Sequence, residues 1–129
     1  MIWSVALGGA LGSVARFLLG AVWQQRAGTT FPVGTLIVNI SGALVLGFVM
    51  RFAMATPGIT PTARLFLTSG FCGGYTTFST CSYETFVMLE ENELGRAAVY
   101  VALSVTLALI GTYCGVLAAG QLLALRDHA

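Results

Sequence analysis

The sequence predicts an all-α membrane protein with four transmembrane helices, and three observations point to that class. Of its 129 residues, 57% are hydrophobic and only 9% are charged, whereas soluble domains carry about 25% charged residues. Four segments reach the roughly 20 mostly apolar residues that a helix needs to cross a bilayer. The stretches between these segments are short. We therefore expect one transmembrane domain over residues 1–129.

The first predicted span covers residues 2–23. No basic residues precede it and no clear cleavage site ends it, so we interpret it as a retained helix rather than a signal peptide. Gly8, Gly12 and Gly20 lie on one face, which is typical of helices that pack closely in lipid. Arg16 lies on the same face at the same spacing. It is either a buried charge with a function or a side chain that snorkels to the membrane interface.

The second predicted span covers residues 32–55 and contains Asn39 in "GTLIVNISGALVLG". An amide in hydrocarbon needs hydrogen-bond partners. Two interpretations stay open: Asn39 joins neighbouring helices, or its NH₂ group donates to an anion.

The third predicted span, residues 61–89, begins at Thr60 and Pro61, a helix-capping pair. It contains the stretch "GFCGGYTTFSTCSYE". Gly73 and Gly74 each disfavour helix by about 1 kcal/mol relative to alanine. With Thr76, we expect them to break the helix near mid-membrane. Backbone groups freed there must face protein, water or an ion, and broken helices bind ions in many transporters.

The residues after this break suit a small anion. Ser79, Thr80 and Ser82 supply hydroxyl donors, and Phe78 supplies an electropositive ring edge. Neutral donors replace hydration without a fixed cation that would trap the ion. Glu84 lies at a depth comparable to Arg16 in a helix of opposite direction, so we predict that the two pair; an interfacial position is the alternative for Glu84.

The fourth predicted span covers residues 95–125, and Gly111 and Gly115 give it another small-residue face. Four spans place both termini on one side. The arginines then divide three against two, Arg51, Arg64 and Arg126 against Arg26 and Arg96. So weak a bias favours insertion in both orientations and an antiparallel dimer, with a chance balance as the alternative. Four helices leave little room for a central aqueous path, so we expect any path between subunits.

Several classes of function are excluded. A net charge of +1 argues against a nucleic-acid partner. Three cysteines without a CxxC motif argue against a disulfide framework or zinc site. His128 is the only histidine, which leaves no base for a nucleophilic triad, and we expect no enzyme activity. A small multidrug exporter would need a carboxylate in its first span, where this chain has Arg16 instead.

Three motifs in order, "GGALGSVAR", "GTLIVNISG" and "GFCGGYTTFSTCSYE", resemble the Fluc (CrcB) family of fluoride channels across all four spans. The resemblance implies an antiparallel, dual-topology homodimer in the lipid bilayer of a bacterial inner membrane. It implies two fluoride pores, each lined by both subunits, that passively export fluoride from the cytoplasm.

The resemblance also implies roles for individual residues. Main-chain carbonyls of Gly73 and Thr76 would hold a structural Na⁺ at the dimer axis. In the fluoride pathway, Asn39 would be the pore asparagine and Phe78 the first pore phenylalanine, with Ser79 and Thr80 as the polar positions after it. Tyr100 and Ser104 would belong to a track of hydroxyls, to which Thr35 is a weaker match. Glu84 would be an acidic residue near the vestibule.

Cys81 departs from the family pattern, because it stands where the family usually has its second pore phenylalanine. A thiol is a weak donor, and its thiolate would repel fluoride. We therefore expect Cys81 to lower fluoride flux. A non-conducting membrane subunit of the same fold is the alternative that this substitution keeps open, beside the multidrug exporter.

Overall fold

The computed structural model describes residues 1–128, which form helices joined by short turns. Three helices are long and apolar enough to cross a membrane: α1 (Ile2–Ala27), α2 (Val33–Met54) and α6 (Leu94–Asp127). The third span consists of two half-helices. Its first half is a continuous helix made of α3 (Pro61–Leu65), a π-helical stretch (Phe66–Cys72) and α4 (Gly73–Tyr75), and its second half is α5 (Phe78–Glu90). The four predicted spans are thus present.

Side chains and one glycine shape the turns between spans. The Thr60 hydroxyl accepts a hydrogen bond from the Ala63 nitrogen at 3.2 Å, which confirms the predicted cap of α3. Helix α1 ends at Gly28, whose φ of 59° lies in the left-handed region that glycine tolerates best. The Gln24 side chain then donates to the carbonyls of Thr29 and Phe31 and accepts from the Gly34 nitrogen. The turn before α2 is therefore closed by one side chain.

Helix α1 packs backbone to backbone against the first half of the third span. A Cβ built on Gly8 would lie 2.9 Å from the Phe71 nitrogen, and one on Gly12 would lie 2.8 Å from the Tyr75 nitrogen. Real side chains do not tolerate such approaches, so only glycine fits at these positions. The prediction that the small-residue face of α1 serves close packing is confirmed at Gly8 and Gly12, whereas a Cβ on Gly20 would make an ordinary contact of 3.7 Å with Val38.

Helices α2 and α6 run parallel and form the other tight pair. A Cβ on Gly111 would lie 3.0 Å from the Ile40 carbonyl oxygen, and one on Gly115 would lie 2.8 Å from the Phe48 nitrogen. Arg96 contacts Thr30 at one end of this pair, at 3.0 Å. Arg126 approaches Thr56 at the other end, at 3.3 Å. Arg96 and Arg126 therefore lie at opposite ends of this helix pair, as the prediction of four spans required.

Helix α5 is held differently, because it packs on α6 and α2 and makes no contact with α1 within the described residues. A small cluster of Leu36, Met88, Ala97 and Tyr100 fixes it in place. The gap between α5 and α1 leaves an open groove. A second groove lies on the opposite side of α5, against α2 and α6.

Candidate functional site at the broken third span

The third span leaves the helical conformation at Thr76 and Thr77. Thr76 has φ −81° and ψ 160°, and Thr77 has φ −151° and ψ 119°. The prediction that Gly73 and Gly74 break the helix is wrong, since both are helical, whereas the prediction for Thr76 agrees with the structure. The glycines serve close packing instead: a Cβ on Gly74 would lie 2.9 Å from the Cα of Gly9.

Residues 39–42 of α2, which we call the cradle, hold this break. Asn39 donates from Nδ2 to the Thr77 carbonyl at 2.9 Å and accepts from the Thr77 nitrogen at 2.7 Å. Ser41 lies 2.9 Å from the Tyr75 hydroxyl. Gly42 leaves room for the break, because a Cβ there would clash with the Thr76 methyl group.

The roles of Ser41 and Gly42 were not predicted from the sequence. The available signal was their position two and three residues after Asn39, within the motif "GTLIVNISG". Neither residue suggested a partner by its type alone, because their partners lie more than 30 residues away in the chain.

The carbonyls at the end of α4 divide into satisfied and free groups. The Cys72 carbonyl accepts from the nitrogen and hydroxyl of Thr76, both at 3.0 Å. The Gly74 carbonyl accepts from Arg16 Nε at 3.1 Å and lies 3.5 Å from the Ser13 hydroxyl. The carbonyls of Gly73 and Thr76 accept no hydrogen bond from residues 1–128. These two oxygens are the free acceptors that the broken helix offers.

Arg16 stabilises the end of the first half-helix. A cation at a helix C-terminus interacts favourably with the partial negative charge there, and the bond to the Gly74 carbonyl places Arg16 at that point. The predicted Arg16–Glu84 pair does not form in this chain: among the described residues, no ion pair joins these two side chains. Arg16 Nε instead donates to the Gly74 carbonyl, and the two Glu84 oxygens accept from the hydroxyls of Thr35 and Tyr100.

Helix α5 begins with a network of hydroxyls. The Thr77 hydroxyl accepts from the Thr80 nitrogen at 3.2 Å and donates to the Thr80 hydroxyl at 3.0 Å. The Ser79 hydroxyl lies 3.4 Å from that of Thr77. Phe78 is 86% exposed, although it sits in the middle of a transmembrane span. The break therefore presents a ring and several donors on one open side of the chain.

Two grooves meet at Thr77. The first has a volume of about 820 Å³ and is lined by Arg16, Thr35, Thr80 and Glu84 among others. The second has a volume of about 690 Å³, and its walls include Asn39, Phe78, Cys81 and Ser104. Thr77 contributes to both walls. Predicted site residues are thus brought together in two sets on either side of α5.

Glu84 is held by two hydroxyl groups. Its Oε1 accepts from the Thr35 hydroxyl at 2.7 Å, and its Oε2 accepts from the Tyr100 hydroxyl at 2.5 Å. Tyr100 itself is fully buried and packs edge-on against Phe31, with ring centroids 5.5 Å apart. Tyr100 therefore lies behind Glu84, away from both grooves, because its ring belongs to the cluster that anchors α5.

Cys81 faces α6 from the second groove. Its Sγ lies 3.7 Å from the Ser104 hydroxyl, and its side chain is partly buried against the cluster around Tyr100. At this point a sulfur and a hydroxyl lie side by side on the wall of the second groove. A phenylalanine here would instead place a ring beside Ser104.

The third span contains two half-helices, and they meet beside grooves lined with hydroxyls. Lipid cannot satisfy polar groups at this depth, so they must face protein, water or an ion. These features define a multi-pass membrane protein with a polar site inside the membrane. Residues 3–116 match the family model described as "CrcB-like protein, Camphor Resistance (CrcB)". The chain therefore belongs to the CrcB family, as the three motifs predicted.

Similar proteins carry the name "Fluoride-specific ion channel FluC". The relative from Geobacter sulfurreducens is 49% identical over 121 residues, which cover 94% of this chain and 98% of the relative. The relative from Aquifex aeolicus is 44% identical over 115 residues, covering 89% of this chain and 93% of the relative. The relative from Rhizobium meliloti is 43% identical over 111 residues, covering 86% and 89%.

Proposed function

We propose that this protein is a passive fluoride channel of a bacterial inner membrane. The observation that carries the proposal is its identity of 49% over nearly the whole length of a relative named as a fluoride-specific channel. The geometry supports it, because the broken span gathers neutral hydrogen-bond donors beside two grooves. A channel needs no catalytic group, and its sites must hold an ion loosely enough to release it.

The donors along α5 and α2 replace the hydration shell of fluoride. The hydroxyls of Thr80 and Ser104 lie on the walls of the two grooves. Asn39 uses one N–H of its amide for the Thr77 carbonyl, and an amide NH₂ group has a second to donate. Phe78 adds its ring edge. Arg16 donates to Gly74, which lowers its capacity to trap an anion.

The complete pathway forms in an antiparallel dimer. In a single chain the second groove is open on one side, and its polar residues, Asn39 and Ser104, together with the exposed Phe78, would face lipid. Polar groups in hydrocarbon are costly unless they are covered. A second copy of this chain covers them and closes the groove into a pore. The balanced arginines support the antiparallel arrangement.

A sodium ion fits the free carbonyls of the break. Gly73 and Thr76 offer two unpartnered main-chain oxygens, and unwound backbone carbonyls are the groups that bind Na⁺ in broken transporter helices. A second copy would contribute the same pair. When bound, sodium would join the two broken spans as a structural cross-link.

Export follows from the chemistry of fluoride and the membrane potential. The protonated acid crosses lipid and ionises inside, where the anion is trapped. The inside-negative potential drives a monovalent anion outward with about 2.3 kcal/mol per 100 mV. A passive pore is therefore sufficient for export.

Fluoride efflux from proteoliposomes, followed with a fluoride electrode, tests the proposal. We expect rapid fluoride efflux under a fluoride gradient and no comparable efflux of chloride. Cys81 favours one rival, a non-conducting subunit of the same fold, because it removes a ring from the proposed pathway. A folded dimer that releases no fluoride would favour that rival, and efflux of a cationic drug driven by protons would favour an exporter.

A further inference from the structure

The Asn39 side chain accepts a hydrogen bond from the Thr77 nitrogen, which in a continuous helix would donate to a main-chain carbonyl. In an α-helix the nitrogen of residue i donates to the carbonyl of residue i−4, so the Thr77 nitrogen would donate to Gly73. Here it donates to Asn39 Oδ1 at 2.7 Å, and the Gly73 carbonyl has no donor among the described residues. We propose that Asn39 is the positioning residue of the cation site. By binding the Thr77 nitrogen, it keeps the Gly73 carbonyl free for sodium.

The same hydrogen bond sets the direction of the other free carbonyl. Thr76 contributes the C=O, and Thr77 the N–H, of one peptide unit, and the chain contains no cis peptide bond in its described part. In a trans peptide these two groups point in opposite directions. Since the N–H points to Asn39, the Thr76 carbonyl points away from α2. One side-chain amide therefore determines both carbonyls of the site.

The second half of the Asn39 amide strengthens this arrangement. Nδ2 donates to the Thr77 carbonyl at 2.9 Å, so Thr77 is held from both its nitrogen and its oxygen. Its extended conformation, with φ −151°, prevents the helix from continuing. Ser41 offers a matched control in the same cradle, because within residues 1–128 its hydroxyl forms hydrogen bonds with the Tyr75 hydroxyl and the Val38 carbonyl alone. Neither contact involves Gly73, Thr76 or Thr77.

The chain allows the Gly73 carbonyl to be observed almost alone. It contains two Gly–Gly pairs, Gly8–Gly9 and Gly73–Gly74. Labelling glycine with both carbonyl ¹³C and ¹⁵N therefore gives one-bond carbonyl–nitrogen signals from Gly8 and Gly73 alone. The experiment uses the full chain in detergent or nanodiscs and titrates Na⁺ against N-methylglucamine at constant ionic strength. Gly8, within α1, is the internal control.

We expect Na⁺ to shift the Gly73 signal saturably in the natural chain and in Ser41→Ala, and to leave Gly8 unchanged. In Asn39→Leu the Thr77 nitrogen returns to Gly73, and the Na⁺ affinity falls by about tenfold or more. The rise in thermal unfolding midpoint that Na⁺ gives should shrink in parallel. Asn39→Asp keeps an oxygen acceptor for the Thr77 nitrogen but loses the Nδ2 donor to the Thr77 carbonyl. It should therefore still bind Na⁺, more weakly than the natural chain and more tightly than Asn39→Leu.

An Asn39→Leu protein that binds Na⁺ like the natural chain would overturn the proposal. Loss of Na⁺ binding in Asn39→Asp would also overturn it, and that variant decides the question if Asn39→Leu does not fold. The inference rests on the sodium site of the proposed function. If Na⁺ leaves Gly73 unmoved in the natural chain, the sodium site and this inference fail together, whereas fluoride efflux tests the channel separately.

Discussion

The two halves of the third span are held in opposite ways. The first half, residues 61–75, lies against α1 with glycines facing backbone on both sides, as at Gly8, Gly12 and Gly74. The second half, α5, is held by side chains, chiefly the cluster around Tyr100 and the amide of Asn39. The first half therefore forms a rigid base. The second half leaves open space on both sides, where hydroxyls and a ring are available to an ion.

The largest expected effect comes from disturbing the rigid base. A Cβ on Gly12 would clash with the Phe71 carbonyl oxygen, whereas one on Gly20, on the same face of α1, would make an ordinary contact of 3.7 Å with Val38. We expect Gly12→Ala to destabilise the protein by about 1–3 kcal/mol. Thermal unfolding in detergent measures this. Gly20→Ala is the control, and an equal loss in both variants would contradict the role of close packing.

The next effect concerns the open side of α5. Cys81→Phe restores a ring edge beside Ser104, in a groove of about 690 Å³. One such contact is worth about 0.5–1.5 kcal/mol, so we expect fluoride flux to rise by up to about tenfold. The rate of fluoride efflux from proteoliposomes measures the change. Cys114→Phe, on the exposed side of α6, is the matched control. Unchanged or lower flux in Cys81→Phe would refute the view that the thiol impairs the pathway.

A smaller effect is expected where α5 meets the cluster. Tyr100→Phe removes the hydroxyl that donates to Glu84 but keeps the ring. The carboxylate loses one of its two donors, so it moves more freely in the first groove. We expect stability to fall by about 1 kcal/mol and flux to change by about fivefold or less. Tyr113→Phe, on the exposed surface of α6, should change neither quantity. Identical behaviour of the two variants would show that the hydrogen bond from Tyr100 to Glu84 affects neither stability nor flux.

The smallest effect belongs to the cap of the first half. Thr60→Ala removes the side-chain oxygen that accepts from the Ala63 nitrogen. Loss of an N-cap costs about 1 kcal/mol, and the cap lies at the far end of the half-helix from the break. We therefore expect a slightly lower unfolding midpoint with unchanged fluoride flux. A clear loss of flux would show that the base and the ion path are more closely coupled than the structure indicates.

The sequence predicted the spans, the Thr60 cap and the glycine packing faces because each is a local pattern. A small-residue face needs only the helical period, and a cap needs only neighbouring residues. The break was predicted at the correct stretch but assigned partly to Gly73 and Gly74. Local helix propensity could not reveal that these glycines pack against α1, nor that Asn39 would hold Thr77.

The site was harder to predict because its contacts join distant parts of the chain. Arg16 and Glu84 appeared as a pair of opposite charges, yet Gly74 supplies an acceptor for Arg16, and two hydroxyls hold Glu84. A main-chain carbonyl leaves no mark in the sequence as an acceptor. Burial of Tyr100 likewise depends on how α5 packs against α6, which the hydrophobic period of either helix alone does not determine.

Fluoride is proposed to pass beside the broken third span, and Cys81 allows a direct test of that path. Cys72 is buried, so in a Cys114→Ser background Cys81, which is partly buried on the wall of the second groove, is the thiol open to a small methanethiosulfonate reagent. Fluoride flux is measured in proteoliposomes before and after treatment, and mass spectrometry confirms that Cys81 is modified. We predict that flux stops on modification and returns after reduction. Unchanged flux with Cys81 fully modified would contradict the proposed path.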